Sequence, residues 1–165
     1  MMIRGIHHTS ISTRDLDGLL HFYRDLLGLK QVIDIQMADN PLFDKVVGLD
    51  GARARCSFLQ AGNSFIEFWQ YSEPLGKPPI ADRPVCDAGL THLCFDIEDL
   101  EATYEKLAPA GVTFLSPPQH LGSVVTCYIR DPDGNLIELR QGIPEKSTLE
   151  LAPDVLAASQ AILSQ

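Results

Sequence analysis

Apolar and polar residues follow two kinds of spacing, and these predict short strands and single helices in both halves of the chain. In the second half the strand alternation is clean, because Leu93, Phe95 and Ile97 fall on one face of the predicted strand. Residues 16–27 instead carry leucines and aromatic residues at helical spacing, which predicts an amphipathic helix. An aspartate precedes each predicted helix at the position of an N-cap.

The same reasoning over the rest of the chain predicts β-α-β-β-β in each half. In the first half the predicted elements are strands at 3–12, 29–38, 54–60 and 64–71, a helix at 16–27, and a loop or short helical excursion at 39–52. In the second half they are strands at 90–97, 112–115, 123–130 and 135–141 and a helix at 99–108. Four of the 11 prolines lie in residues 72–88, which predicts a linker between the two halves.

The two halves repeat one sequence pattern. His8 aligns with His92 at an offset of 84. A later stretch aligns without a gap at an offset of 71, which matches Glu67 with Glu138. Each half therefore offers one histidine on an early strand and one glutamate on a late strand. A repeat of this kind constrains the whole fold, so it takes precedence over single local features.

Two histidines and two glutamates at duplicated positions make a four-ligand metal site the leading hypothesis. A carboxylate at the centre of an apolar strand is costly to bury unless it is paired or bound to a metal. Two imidazoles and two carboxylates suit zinc, nickel, cobalt, manganese or ferrous iron, and the set does not choose among them. The alternative is that each histidine is a hydrogen-bonded or exposed residue and each glutamate is solvated.

Composition and charge exclude several classes of function. The net charge is −9 with a sequence pI of about 4.8, and no cluster of Lys and Arg exists, which argues against a nucleic-acid partner. No apolar run approaches the length of a membrane span, so no membrane partner is expected. The first residues have no apolar core of a secretory signal, and we therefore expect a cytoplasmic protein.

The four cysteines do not indicate a metal or redox motif, because none of them forms CxxC. We interpret Cys56, Cys86, Cys94 and Cys127 as reduced, small, buried residues. The gapless alignment of the late strands also matches Cys56 with Cys127.

Four segments together resemble the vicinal oxygen chelate superfamily: GIHHTSI, DLDGLLHFYRDLLGL, THLCFDIEDLEATYEKLAPAGV and YIRDPDGNLIEL. That superfamily contains glyoxalase I, methylmalonyl-CoA epimerase, extradiol dioxygenases and the fosfomycin- and bleomycin-resistance proteins. The resemblance implies an α+β fold in which two repeated βαβββ modules form a curved mixed sheet, a cup, around a divalent metal. The implied organisation is one domain at 1–144 with modules 3–71 and 89–141, the Pro-rich linker 72–88, and a C-terminal helical extension at 145–165.

The ligand pattern within that superfamily points to one type of enzyme. Carried over by position, the metal ligands are His8, Glu67, His92 and Glu138. A His/Glu/His/Glu set resembles glyoxalase I, which implies a lyase or isomerase that transfers a proton next to a carbonyl through a metal-bound enolate or enediolate. The alternatives are a ferrous extradiol dioxygenase, against which Glu67 argues, and a non-enzymatic small-ligand-binding module. Ser12 stands where bacterial glyoxalase I has an arginine that helps hold glutathione, which argues against glutathione here.

The resemblance also suggests which groups move protons. Glu138 or Glu67 would act as both ligand and base. His120 is a candidate second acid/base because it lies in the Pro- and Gly-flanked segment SPPQHLGS, although an ordinary loop histidine explains it as well. We expect a small-molecule substrate and a homodimer, and the sequence leaves open whether the four ligands come from one chain or two.

Overall fold

A computed structural model describes residues 5–142, and the chain divides into two compact units between Ala81 and Asp82, inside the predicted linker. The first unit contains β1 (His8–Thr13), α1 (Leu16–Leu20), a π-helical segment (His21–Leu26), β2 (Lys30–Met37), α2 (Pro41–Val47), β3 (Arg53–Ala61) and β4 (Ser64–Glu73). The second contains β5 (His92–Asp96), α3 (Leu100–Leu107), β6 (Thr113–Phe114), β7 (Gln119–Leu121), β8 (Val124–Arg130) and β9 (Leu136–Gly142).

The described strands form one mixed sheet in each unit, which confirms the α+β class. The four-stranded sheet of the first unit has the order β1-β4-β3-β2, and its first pair, β1 and β4, is parallel. The five-stranded sheet of the second unit has the order β5-β9-β8-β6, with β7 paired to β8, and β5 runs parallel to β9. In both units the strand that carries the predicted histidine therefore lies directly beside the strand that carries the predicted glutamate.

One face of each sheet is covered by its helix and forms the core. In the first unit Leu16, Leu19 and Tyr23 are fully buried, and the Tyr23 ring lies 4.8 Å from that of Phe68 on β4. In the second unit Leu100 and Leu107 of α3 are buried with Ile129, Ile137 and Leu139 of the sheet. Because side chains alternate along a strand, the opposite face of each sheet is left for the polar candidates.

The helix starts agree with the predicted caps. The Asp15 carboxylate accepts a hydrogen bond from the Gly18 N–H at 3.0 Å, and Asp99 accepts one from the Ala102 N–H at 2.9 Å. Each satisfies a backbone donor that has no partner within its helix.

A glutamine at the end of each glutamate-bearing strand also binds the start of the helix. The Leu16 N–H donates to Gln70 Oε1 at 3.2 Å, and the Leu100 N–H donates to Gln141 Oε1 at 2.9 Å. Gln70 and Gln141 occupy repeat-related positions, three residues after their glutamates. Both units thus anchor the glutamate strand to the helix by the same contact.

The prediction of one amphipathic α-helix at 16–27 was wrong in type. The helix changes to π geometry after α1, because the Leu27 N–H donates to the carbonyl of Phe22, five residues earlier, at 3.0 Å. The spacing of apolar residues identifies the buried face of the helix. It does not show whether each backbone N–H bonds to the carbonyl four residues earlier, as in an α-helix, or five residues earlier, as in a π-helix.

Two other differences concern the connections. The predicted strand 112–115 is the two-residue β6, and β7 was not predicted. The segment 39–52, predicted as a loop or short helical excursion, contains α2, in agreement with that prediction. The predicted extension 145–165 lies outside the described residues. Within residues 5–142, the helices are all too short or too polar to cross a bilayer.

Candidate metal centre

The first unit brings His8 and Glu67 together. His8 begins β1 and is in register with Phe65 on the parallel strand β4, so Glu67 follows two residues later on the same face. His8 Nε2 lies 3.6 Å from Glu67 Oε2. The Glu67 side chain is 13% exposed, so the carboxylate is largely withdrawn from water.

The second unit brings His92 and Glu138 together by the same geometry. His92 begins β5 and is in register with Leu136 on the parallel strand β9, and Glu138 again follows two residues later. His92 Nε2 lies 3.2 Å from Glu138 Oε2, and the Glu138 side chain is 19% exposed. The repeat seen in the sequence is therefore a repeat of side-chain placement.

The residue before each histidine contacts the other nitrogen of its ring. His7 Nδ1 lies 2.8 Å from His8 Nδ1, and Thr91 Oγ1 lies 2.9 Å from His92 Nδ1. A partner on Nδ1 orients the imidazole and leaves Nε2 directed at the carboxylate. The offset of 84 that aligns His8 with His92 also aligns His7 with Thr91, and these repeat-related positions are the signal by which the sequence could have indicated the contact.

The face of the first sheet around Glu67 is apolar and aromatic. In register across β3 and β2 it carries Phe58, Cys56, Ile33 and Ile35. Farther along β4, Trp69 stacks on Phe43 of α2 with ring centroids 5.1 Å apart and an interplanar angle of 23°. This face would exclude water from a small molecule held against it.

A thiol and a hydroxyl contact the two carboxylates from equivalent positions. Cys56 Sγ donates to Glu67 Oε1 at 3.9 Å, and Thr126 Oγ1 donates to Glu138 Oε1 at 2.8 Å, the nearer of two acceptors, since the Leu139 carbonyl lies 3.0 Å from the same hydroxyl. Cys56 is in register with the residue two beyond Glu67, and Thr126 with the residue two beyond Glu138. Thr126 is therefore the structural counterpart of Cys56.

The alignment of Cys56 with Cys127 was wrong for this reason. Cys127 is in register with Leu139, next to Glu138 in sequence, and so lies on the helix side of the sheet. Eight residues separate Phe58 from its partner Glu67, whereas nine separate Tyr128 from its partner Glu138, and this extra residue shifts the equivalence by one position. A gapless alignment cannot account for a residue added between the two strands.

The groups around the carboxylates keep their protons. Burial, followed by the negative charge of Glu67, raises the pKa of Cys56 to about 12. Burial, followed by the charge of Glu138, also raises the pKa of Tyr128. These thiol and phenol groups therefore act as neutral hydrogen-bond donors near neutral pH. The Tyr128 ring also packs edge-on against His92 at 5.1 Å. Cys56 and Cys127 are buried as expected, whereas Cys86 and Cys94 are exposed, so the expectation was wrong for these two.

The structure does not bring His120 to either pair. His120 on β7 is in register with Val125, three residues before Tyr128 on β8, whereas Tyr128 is in register with Glu138. His120 therefore lies on the face opposite to Glu138. Its side chain is 70% exposed, and Nε2 lies 4.0 Å from Glu101 Oε1 on α3.

The donor atoms of each pair fit a divalent ion. An imidazole nitrogen and a carboxylate oxygen are ligands that zinc and related metals accept. Across residues 5–142, however, no group of three or more His, Cys, Asp or Glu side chains is clustered closely enough to hold a metal ion. The geometry supports two half-sites of two ligands each, and the four-ligand set stays a prediction.

Comparison with known proteins places the chain in a family. The model of the Glyoxalase/Bleomycin resistance protein/Dioxygenase superfamily matches residues 5–139. The chain belongs to this superfamily. The expected resemblance to the vicinal oxygen chelate proteins is thus confirmed.

Individual relatives differ in their activities. The chain is 25% identical over 149 residues to a lactoylglutathione lyase of Haemophilus influenzae, covering 87% of this chain and 97% of the relative. It is 27% identical over 164 residues to the metallothiol transferase FosB of Shouchella clausii, covering 94% of each. The crystal structure of a glyoxalase family protein from Bacillus cereus superposes with a TM-score of 0.77 at 23% identity, covering 86% of this chain and 96% of that one. These similarities establish the fold and leave the reaction to be argued from the site.

Proposed function

We propose that this protein is a metal-dependent lyase or isomerase, of the lactoylglutathione lyase type, that transfers a proton at the carbon next to a carbonyl. The proposed ligands are His8, Glu67, His92 and Glu138. The observation that carries the proposal is the repeated His–Glu pair, in which each Nε2 faces a carboxylate oxygen at 3.6 Å or 3.2 Å. When bound, a divalent ion would supply Lewis-acid polarisation of the substrate's carbonyl oxygen.

Glu67 is the proposed base. Its carboxylate is contacted by a thiol at 3.9 Å, a weak donor at long range, whereas Glu138 is held by a hydroxyl at 2.8 Å. Glu67 is therefore freer to turn toward a substrate carbon and accept its proton on Oε1 or Oε2. Phe58 is in register with Glu67 on β3, and the Glu67 side chain is only 13% exposed, which limits the competition of water for that proton.

Glu138 and the two histidines have a holding role in this proposal. The Thr126 hydroxyl orients the Glu138 carboxylate, and the Nδ1 contacts of His8 and His92 orient their rings. Groups oriented before substrate arrives need little reorganisation when it binds. His120 has no part in the mechanism, since it lies on the other face of its sheet.

Metal removal and reconstitution test the proposal. We expect the chelator-stripped protein to bind one of zinc, nickel, cobalt, manganese or ferrous iron at micromolar concentration or tighter, measured by titration calorimetry. His8→Ala and His92→Ala should each weaken binding by about 100-fold, in line with the loss of a metal ligand. His21→Ala is the matched control, because His21 is an exposed helical histidine paired with Asp25.

The outcomes separate the proposed enzyme from its relatives. Metal-dependent exchange of the proton next to the carbonyl of a lactoyl thioester in deuterated water, followed by proton NMR, would support the lyase. S-lactoyl-N-acetylcysteamine is tested beside S-lactoylglutathione, because Ser12 argues against glutathione. Oxygen uptake with catechols would instead indicate dioxygenase chemistry. A wild-type protein that binds no divalent ion at micromolar levels would contradict the proposal, as would His8→Ala and His92→Ala proteins that bind as tightly as His21→Ala.

A further inference from the structure

Arg83 precedes the sheet of the second unit and is enclosed by the backbone that leads into that sheet. Residues 84–90 are all exposed, whereas Arg83 is half-buried. Its guanidinium contacts backbone carbonyls and no carboxylate of residues 5–142. An arginine bonded in this way orders the chain around it, because each carbonyl is fixed relative to one rigid, planar group.

Two nitrogens of the Arg83 guanidinium bond three carbonyls of the segment before β5. Nη2 donates to the carbonyl of Ala88 at 2.6 Å and to that of Asp87 at 3.3 Å. Nη1 donates to the carbonyl of Leu90 at 3.3 Å. The segment that leads into β5 is thereby held at three points.

Gly89 lets this segment pass close to the guanidinium. Its φ is +126°, a value that residues with a side chain rarely adopt, and a Cβ added there would lie 2.8 Å from Arg83 Nη2. Any other residue would therefore strain the backbone and displace the guanidinium. The backbone is shaped around Arg83.

The main chain of Arg83 is anchored to the sheet by Arg130. Arg130 Nη2 donates to the Arg83 carbonyl at 3.1 Å, and Arg130 Nη1 donates to the Gly134 carbonyl at 2.7 Å. Arg130 is in register with Leu136, and Leu136 is in register with His92. The anchor therefore lies in the same row of the sheet as His92 and on the same face.

Held in this way, the backbone presents Thr91 to His92. Arg83 binds the carbonyl of Leu90, the residue directly before Thr91. Thr91 Oγ1 lies 2.9 Å from His92 Nδ1. A partner fixed on Nδ1 sets the plane of the imidazole and hence the direction of Nε2, which lies 3.2 Å from Glu138 Oε2. These contacts lead from Arg83 to a proposed metal ligand.

The first unit holds the corresponding backbone by other means. His7 aligns with Thr91 at the offset of 84, and the His7 carbonyl accepts bonds from β4. Their donors are the Phe65 N–H at 3.3 Å and the Ser64 hydroxyl at 3.2 Å. A change at Arg83 should therefore alter His92 and leave the histidine of the first unit unchanged.

We propose that Arg83 is a positioning residue for His92, which acts through the backbone of 87–90 and the Thr91 hydroxyl. Its importance for the reaction rests on the proposed function, because it requires that His92 binds the metal. The placement of the His92 ring, in contrast, can be measured in the metal-free protein.

Proton NMR of the metal-free full chain tests the placement. The Tyr128 ring lies edge-on to that of His92 at 5.1 Å, so its ring current should displace the His92 ring signals from those of an exposed histidine such as His21. Arg83→Met keeps an unbranched side chain but removes the donors, and we expect most of this displacement to be lost.

Three controls accompany these spectra. The His8 signals should not change in Arg83→Met. Arg14→Met is the matched control variant, because Arg14 is an exposed arginine of the first unit. Arg83→Lys is the milder variant in case Arg83→Met does not fold. Its donors lie on one nitrogen and not on a planar fork, so we expect a smaller loss in the same direction.

A double-mutant cycle on metal affinity separates positioning from simple stabilisation of the fold. By calorimetry, Arg83→Met should weaken metal binding by about tenfold, as for other groups that orient a ligand. Thr91→Val should have a similar effect. Added to Thr91→Val, Arg83→Met should weaken binding by less than about twofold more, because both changes remove the same contact. A purely structural role would give additive losses.

Two results would overturn this role of Arg83. One is His92 ring signals that are the same in Arg83→Met as in Arg14→Met, and the other is additive losses in the cycle. The proposed function fails separately, if the wild-type protein binds no divalent ion, and the NMR spectra would then still decide whether Arg83 places the ring. Metal binding that is equally tight in wild type and Arg83→Met would remove the role of Arg83 alone.

Discussion

The two units place a histidine and a glutamate by the same register, but they hold the glutamate differently. In the second unit a hydroxyl lies 2.8 Å from the Glu138 carboxylate, and in the first a thiol lies 3.9 Å from that of Glu67. Thr126 and Cys56 occupy equivalent positions, so one substitution between the units accounts for the difference. The two units agree in where the histidine and the glutamate lie, while the neighbours that restrain each glutamate differ.

The residues that surround the two glutamates also differ between the units. Glu67 is in register with Phe58, and Ile33 and Ile35 continue an apolar surface beside it. Glu138 is in register with Tyr128, whose pKa is raised by burial and by the charge of Glu138. The proposed roles, a base for Glu67 and a fixed ligand for Glu138, follow from this difference.

The largest effect should come from exchanging each glutamate for glutamine. Glu67→Gln should lower metal-dependent proton exchange by about 1,000-fold, because the amide cannot accept the proton, while its oxygen can still contact a metal. Glu138→Gln should act mainly on metal affinity. Proton NMR of exchange and calorimetry of metal binding separate the two effects, with Glu105→Gln on the exposed side of α3 as control. Equal losses of both quantities in the two variants would contradict the assigned division of roles.

Removal of the Thr126 hydroxyl should have the next largest effect. Thr126→Val keeps the shape of the side chain but removes the donor to Glu138, and we expect metal affinity to fall by about tenfold. Thr113→Val is the matched control, since Thr113 is an exposed strand residue on β6. If Thr126→Val bound metal as tightly as Thr113→Val, the hydroxyl would have no part in holding the carboxylate.

The sequence predicted the overall layout well, because that layout depends on spacing. Alternation and helical periodicity predicted the principal strands and both helix positions, and the repeat placed His8 beside Glu67 and His92 beside Glu138. These features follow from which residues share a face, and a sequence records that directly.

Other features depend on register and hydrogen-bond geometry, which spacing does not record. One added residue moved the counterpart of Cys56 from Cys127 to Thr126, and one short strand placed His120 on the helix side of its sheet. Contacts of this kind appear once strand pairing is known.

The smallest effect should come from replacing Cys56 with serine, which gives the first unit a hydroxyl donor like that of Thr126 in the second. Cys56→Ser replaces a weak thiol donor with a hydroxyl, which approaches a carboxylate more closely and binds it more strongly. If freedom of Glu67 is what suits it to proton transfer, the variant should bind metal about threefold more tightly and exchange substrate protons about threefold more slowly.

Cys56→Ala separates this effect from simple loss of the thiol. It adds no donor and should leave metal affinity within about twofold of wild type, because the bond at 3.9 Å is weak. Calorimetry and proton exchange on both variants make the comparison. Faster exchange in Cys56→Ser would mean that a held carboxylate is the better base, and the roles of Glu67 and Glu138 would then have to be reversed.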